Sequence, residues 1–143
     1  MTNEMTQRLS DILAEKAIRA VAEDAADIKE AWDLAFGEAV ADREAVYYDQ
    51  FRWHLFSYNK LPAKAGDEAR EALNQKQSQR LHLFWQDSDT AWEMRNAFDL
   101  DDAHVDAIAE ATYPDLYVFD AEGCWTYVVT HEPEQCGPYF FQW

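Results

Sequence analysis

The sequence predicts an α+β (or α/β) fold in which helices pack on a mixed β-sheet that ends in a C-terminal antiparallel hairpin. Two patterns lead to this prediction: helical segments alternate with short apolar strands, and the last third contains two strands joined by a turn. Composition supports it, since 48% of the 143 residues are hydrophobic and 15% are aromatic. Such a chain can bury a core without a disulfide or metal, and its length predicts one globular domain over residues 1–143.

The first third of the chain is mostly helical in pattern. Thr6 or Ser10 is placed to cap a first helix. Residues 16–21 suit either a helix or a short strand. A second helix begins at Asp24 or Asp27, ends at Gly37, and carries an apolar stripe at spacings of three and four. A further helical turn is expected over residues 42–49.

The middle of the chain predicts one strand between two helices. Residues 67–77 have the polar surface of an exposed helix. Residues 81–86, L-H-L-F-W-Q, predict a strand with His82 and Phe84 on one face. The next three residues have side chains that commonly cap helices, and we expect them to start a helix that runs to Ala97: these are Asp87, Ser88 and Asp89.

The C-terminal part predicts a helix followed by strands. Asp101 or Asp102 is placed to cap a helix through Ala111. Residues 116–119 and 125–130 flank the sequence D-A-E-G, which is typical of a hairpin turn with a glycine at positive φ. The aromatic residues after Pro138 are expected to form a last strand on the sheet.

The charge is strongly negative and limits the partners. There are 28 Asp and Glu residues against 12 Lys and Arg, which gives a net charge of −16. Direct binding to nucleic acid is disfavoured because phosphate recognition relies on Lys and Arg, and an anionic membrane surface is disfavoured for the same reason. A negative surface attracts basic proteins, so a basic toxin or a nucleic-acid-binding protein is the expected partner. Adaptation of an acidic housekeeping protein to a salty or crowded cytosol would produce the same composition.

The compartment follows from three observations. No stretch approaches the roughly 18 consecutive apolar residues of a membrane-spanning helix. The N-terminal residues do not place a basic stretch before an apolar one, so we expect no secretion signal. The two cysteines, Cys124 and Cys136, make no disulfide framework and are expected to be ordinary buried thiols. A cytoplasmic protein is the resulting prediction.

Acidic clusters and the terminal tryptophan are the candidate partner-binding residues. Carboxylates at helix starts are also favoured as caps, which explains many of them but not the shortage of Lys and Arg elsewhere. Tyr and Trp commonly anchor interfaces, and exposed aromatic surface would equally serve a homodimer. The residues expected to bind a partner are Asp87, Asp89, Asp99, Asp101, Asp102 and Trp143.

His131 and Glu132 are the candidate catalytic pair, because they follow a strand at a position where side chains often face a cleft. His54 is the third candidate, and a small hydrolase or metal-dependent enzyme would combine the pair with His54 or His82. Hydrogen bonding of these two side chains to the loop backbone is the structural alternative, and the pattern favours it. His54 lies close to Ser57 and Asp49, but no G-x-S-x-G elbow surrounds them.

A metal or cofactor is not expected. Cys124, His131 and Cys136, with a further histidine, could supply zinc ligands, but the tight spacings of zinc sites are missing. The 4 glycines are scattered and make no phosphate-binding loop.

Five motifs resemble those of the DUF4275 family, a group of small bacterial proteins of unknown function. These are W-H-L-F-S-Y, L-F-W-Q, Y-V-F-D, W-T-Y-V-V-T-H-E and G-P-Y-F, and the resemblance begins near Ile28 and continues to the C-terminus. The resemblance implies no activity, cofactor or catalytic residue. With no recognisable catalytic set, the leading hypothesis is a non-enzymatic, acidic binding module of immunity or inhibitor type that neutralises a basic partner.

Overall fold

A seven-stranded antiparallel sheet extends through the computed structural model, which describes all of residues 1–143. Its strands are β1 (Arg19–Asp24), β2 (Lys64–Ala65), β3 (Arg80–Trp85), β4 (Thr90–Arg95), β5 (Leu116–Asp120), β6 (Trp125–Val129) and β7 (Tyr139–Gln142). The order across the sheet is β1-β4-β3-β5-β6-β7-β2, and every neighbouring pair is antiparallel. Because the helices pack outside one antiparallel sheet, the α+β prediction is confirmed. The sheet is antiparallel throughout and not mixed, since strands such as β3–β4 and β5–β6 are joined directly by short turns.

Five α-helices cover the two faces of the sheet. They are α1 (Asn3–Ala14), α2 (Ala25–Trp32), α3 (His54–Ser57), α4 (Asp67–Asn74) and α5 (Asp102–Ala111). Helix α2 continues into a π-helical turn at Asp33–Gly37, and 3-10 turns occupy Arg43–Val46 and Ala97–Asp99. No helix has both the length and the apolar character needed to cross a membrane.

The sheet separates two hydrophobic cores. Helices α1, α4 and α5 pack on one face, against residues that include Leu83, Trp85 and Tyr127. Helices α2 and α3 pack on the other, against residues that include Phe84 and Tyr117. Successive residues of β3 therefore enter opposite cores, as its alternating pattern predicts.

Several predicted elements are confirmed in detail. The Asp24 side chain caps α2 by accepting a hydrogen bond from the Asp27 amide at 3.1 Å. Asp101 caps α5 by accepting from the His104 amide at 2.8 Å. The β5–β6 hairpin turns at Gly123, whose φ is 73°. The last aromatic residues form β7, as expected.

Residues near the N-terminus differ from the prediction. Helix α1 begins earlier than expected because Thr2, and neither Thr6 nor Ser10, is its cap; the Thr2 hydroxyl accepts from the Met5 amide at 3.1 Å. Thr6 lies inside the first turn and donates to the Thr2 carbonyl at 3.0 Å. The ambiguous segment at residues 16–21 contains the start of a strand, because Arg19 begins β1.

The helix expected between Asp87 and Ala97 is wrong, since these residues form a turn and then strand β4. Ser88 accepts a hydrogen bond from the Thr90 amide at 3.1 Å, which serves the turn and not a helix cap. Side chains of this kind bond to nearby backbone in both turns and caps, so the local pattern does not distinguish them. The segment forms a strand and not a helix because it pairs with β1 on one side and with β3 on the other.

Candidate functional site

An open groove lies where the segment around α3 meets the loop that follows β6. Its polar lining consists of Gln50, Ser57, Glu132 and Cys136. The other lining residues all carry rings, and we therefore call the whole site the aromatic groove. These residues are Tyr47, Phe51, Trp53, His54, Tyr58 and His131.

Asp115 is the buried anchor of this groove. It follows Pro114, adopts a left-handed backbone with φ 58°, and is only 4% exposed. Asp tolerates that conformation better than most residues. Its Oδ1 atom accepts hydrogen bonds from the Trp53 indole at 2.9 Å and from the His131 amide at 3.0 Å. The carboxylate therefore joins the wall of the groove to the loop after β6.

The imidazole of His131 is oriented by the same carboxylate. Its Nδ1 atom lies 3.0 Å from Oδ1 and 3.1 Å from Oδ2 of Asp115. A carboxylate only accepts hydrogen bonds, so the network assigns the donating proton to Nδ1. The Nε2 atom is 3.5 Å from Glu132 Oε1, and the side chain is 35% exposed. His131 thus presents the Nε2 edge of its ring outward.

The three sequence-predicted catalytic candidates come together in the groove. The rings of His131 and His54 both pack on Phe51, with centroids 4.9 Å and 5.4 Å away. Glu132 contacts His131 as described. The hydrolase-like arrangement of His54 with Ser57 does not form. Nδ1 of His54 lies 3.1 Å from the Tyr47 carbonyl oxygen and is not paired with Ser57.

Cys136 does not have the environment of a nucleophilic thiol. Its Sγ atom donates to Glu132 Oε2 at 3.6 Å. Burial and this neighbouring carboxylate raise the pKa of the Cys136 thiol, which keeps it protonated. Nucleophilic cysteines need the opposite, an environment that lowers the thiol pKa.

The candidate zinc ligands are dispersed. Cys124 and His131 lie beyond opposite ends of β6, about 20 Å apart by strand geometry. His82 lies against Phe119, with centroids 5.1 Å apart, away from the groove. The expectation of two buried thiols is wrong: Cys124 is exposed and Cys136 is half-buried. Cys124 instead shares the exposed hairpin turn with two carboxylates, those of Asp120 and Glu122.

The acidic residues expected to bind a partner occupy two separate regions. Asp87 and Asp89 lie in the turn before β4, whereas Asp99 and its neighbours follow the other end of that strand. A six-residue strand separates the two regions by about 20 Å. They remain candidates for contact with a partner, but not as one continuous patch.

Two of these carboxylates are engaged within the chain. Asp101 lies 3.3 Å from Lys16 in addition to capping α5. Asp102 lies 3.5 Å from Arg70. Trp143 is 59% exposed, and its indole donates to the Ala35 carbonyl at 2.9 Å.

A buried polar network attaches the groove wall to the sheet. Gln86 Oε1 accepts from the Arg52 amide at 3.0 Å and from the Tyr117 hydroxyl at 2.5 Å. The Tyr117 oxygen in turn accepts from the Trp53 amide at 3.1 Å. Nearby, Arg52 forms an ion pair with Asp33 at 2.8 Å. The backbone that carries the aromatic side chains is therefore fixed by side chains from β5 and the end of β3.

Sequence reasoning missed Asp115, Phe51 and Tyr47. The one local signal for Asp115 is an acidic residue between Pro114 and an apolar strand, at the point where α5 gives way to β5. Its partners Trp53 and His131 are distant in sequence, so its role depends on the fold.

Comparison with curated proteins and with solved structures finds no match to this chain. One family model matches residues 7–140, which include all of the aromatic groove and Asp115. This match confirms the resemblance inferred from the five motifs. The chain belongs to the family described as domain of unknown function (DUF4275).

Proposed function

We propose that the protein is a non-catalytic binding module of immunity or inhibitor type, whose aromatic groove takes a Lys or Arg side chain from a basic protein. The observation that carries the proposal is the pairing of exposed aromatic rings with a carboxylate at one concave site. Tyr47 and Tyr58 are 60% and 50% exposed, and the Glu132 side chain is 48% exposed.

Ring faces attract cations through their quadrupole, with about 0.5–1 kcal/mol per contact at exposed sites and more where water is excluded. A neighbouring carboxylate adds a charge-assisted hydrogen bond to the same cation. In the groove these two contributions come from Tyr58 and Glu132, both of which line it. Exposed aromatic side chains are also the residues that most often anchor protein interfaces.

The net charge supports the same partner. At −16 the protein attracts basic proteins over distance and raises their rate of encounter. The exposed carboxylates of Asp87, Asp89 and Asp99 contribute to this field without touching the groove. The residues that attract a basic partner over distance are thus different from those that would bind its side chain in the groove.

The experiment is an affinity capture from lysate of the native host at low and high salt, with identification of retained proteins by mass spectrometry. We expect one stoichiometric basic partner that is lost as salt rises. Tyr58→Ala and Glu132→Gln should reduce its retention. Phe98→Ala and Glu4→Gln are the matched controls, since Phe98 is 45% exposed outside the groove and Glu4 is an exposed residue of α1.

Equal retention by the groove variants and the controls would contradict recognition in the groove. Capture of many proteins without a stoichiometric partner would contradict a dedicated partner.

A second candidate function, acid–base catalysis in a small hydrolase, is favoured by the Asp115–His131 pair. A carboxylate on Nδ1 leaves Nε2 available to take a proton from a substrate or water. The check is hydrolysis of chromogenic esters by the wild type and by His131→Gln. A positioned base contributes about 10²–10⁴-fold, so a loss of that size would favour catalysis and equal rates would exclude it.

A further inference from the structure

Three arginines stand in a row at the end of the sheet opposite the aromatic groove. Arg95 of β4 is directly opposite Arg19 of β1 on one side and Arg80 of β3 on the other. Directly opposite residues of antiparallel strands share a face, with Cβ atoms about 4.5–5.5 Å apart. In a chain with 12 Lys and Arg residues against 28 Asp and Glu, such a concentration of positive charge is unexpected.

Like charges placed directly opposite each other destabilise a sheet, so the row requires a counter-charge. Part of it comes from Glu93, which is 4% exposed. Glu93 accepts from Arg80 Nη2 at 3.1 Å and from Arg95 Nε at 2.8 Å. These two guanidinium groups lower the pKa of Glu93 to about 2.

The counter-charge within the chain is incomplete. The carboxylates of Glu93 and Glu23 act on Arg80 and Arg95, and no carboxylate forms an ion pair with Arg19, so the row of three arginines keeps one positive charge in excess. Arg19 is exposed and takes part in none of the ion pairs of the chain. Its whole guanidinium fork, together with the terminal nitrogens of Arg95, remains available to a ligand.

The three arginines line a small concave site with two amide side chains, Gln79 and Asn96. Its volume is about 200 Å³, and none of its lining residues is hydrophobic. Asn96 closes the site because its left-handed backbone, with φ 59°, turns the chain directly after β4. We call this site the arginine pocket.

We propose that the arginine pocket binds the phosphate group of a small ligand. Arginine forks match the geometry of phosphate oxygens and bind them through paired, charge-assisted hydrogen bonds. Amide groups at the rim supply further donors. A long polyanion would meet the negative surface of the rest of the protein, so the charge of −16 selects a small ligand over nucleic acid.

Calorimetric titration of the full chain tests the proposal, with inorganic phosphate and glycerol phosphate as the probes and sodium chloride at matched ionic strength as the reference. We expect saturable binding of at least one phosphate probe and none of chloride. Tighter binding of glycerol phosphate would identify an organic phosphate as the ligand, and equal or weaker binding would identify free phosphate.

Arg19→Gln is the informative variant because it removes a guanidinium without leaving a buried carboxylate unpaired. A charged hydrogen bond contributes about 1.5–3 kcal/mol, so we expect phosphate affinity to fall about tenfold or more. Arg8→Gln, an exposed arginine of α1, is the matched control and should change affinity less than about twofold. Thermal unfolding of both variants would verify that they are folded.

Three results would overturn the proposal: no saturable binding of either phosphate probe, heat of binding reproduced by chloride, or equal weakening by Arg19→Gln and Arg8→Gln. The arginine pocket and the aromatic groove lie at opposite ends of β3, so either proposal can fail without the other.

Discussion

Asp115 holds His131 through two atoms of the histidine at once. Its carboxylate accepts from the His131 backbone amide at 3.0 Å and from the Nδ1 atom of the same residue at 3.0 Å. The same oxygen also accepts from the Trp53 indole. One buried side chain therefore fixes both the position of the loop and the orientation of its imidazole.

Replacing Asp115 with Ala should destabilise the protein by about 2–4 kcal/mol, because the indole of Trp53 and the amide of His131 lose their acceptor. Urea unfolding followed by tryptophan fluorescence measures the change. Asp89→Ala is the control, and as an exposed turn residue it should alter the free energy of unfolding by less than about 0.5 kcal/mol. Similar values for the two variants would show that Asp115 is not an anchor.

Stability should fall below pH 4.5 in a way that depends on Glu93. Its pKa is lowered from 4.5 to about 2 by Arg80 and then Arg95, so the unfolded chain binds its proton more readily than the folded chain. The contribution is fully present above pH 4.5 and is lost as pH falls towards 2. Because both arginines are about half exposed, solvent screening reduces it to about 1–2 kcal/mol.

Glu93→Gln should therefore flatten the decline in unfolding free energy between pH 4.5 and 2. Glu4→Gln, which alters an exposed carboxylate on α1, should leave the slope unchanged. Parallel curves for the wild type and Glu93→Gln would contradict the assignment.

Thr126→Val should cost about 1–3 kcal/mol although it preserves the size of a fully buried side chain. The Thr126 hydroxyl accepts from the Trp32 indole at 2.9 Å and donates to the Val118 carbonyl at 2.9 Å. Valine would leave the buried indole without an acceptor. Guanidinium unfolding provides the measurement, with Thr90→Val, a half-buried threonine of β4, as the comparison. An unchanged midpoint for Thr126→Val would show that this bond contributes nothing net.

Tyr47→Gly should separate stability from recognition. Tyr47 is exposed and has a left-handed backbone with φ 59°, a conformation that is strained for a bulky residue and free of strain for glycine. We expect the variant to match the wild type in unfolding free energy or to exceed it by up to about 1 kcal/mol, while retention of the proposed basic partner falls. A large loss of stability would instead assign the Tyr47 ring a structural role.

Elements determined by neighbours in sequence were predictable. The caps at Asp24 and Asp101 and the hairpin at Gly123 depend on contacts a few residues apart. Strand β4 was not predictable from sequence. The residues of the turn before it have the same side chains as a helix cap, and its partner β1 is far away in the chain. Local patterns therefore indicated most elements but not the one whose identity is decided by pairing.

The residues of the candidate site were likewise predictable only in part. His131, Glu132 and His54 could be chosen from residue type and position alone, and the structure places them in one groove. Asp115 could not, since its importance comes from burial and from contacts with Trp53 and His131. The arginine pocket was equally hidden, because only the register of three strands brings its guanidinium groups together.

The strand order also determines how the protein avoids joining other sheets. Its two edges are β1, which carries Arg19, Glu23 and Asp24, and β2, which is only two residues long and includes Lys64. Charged or very short edge strands discourage the addition of a foreign strand and so protect against aggregation. The partner proposed above is therefore expected to recognise side chains on the surface of the protein rather than to extend the sheet through backbone hydrogen bonds.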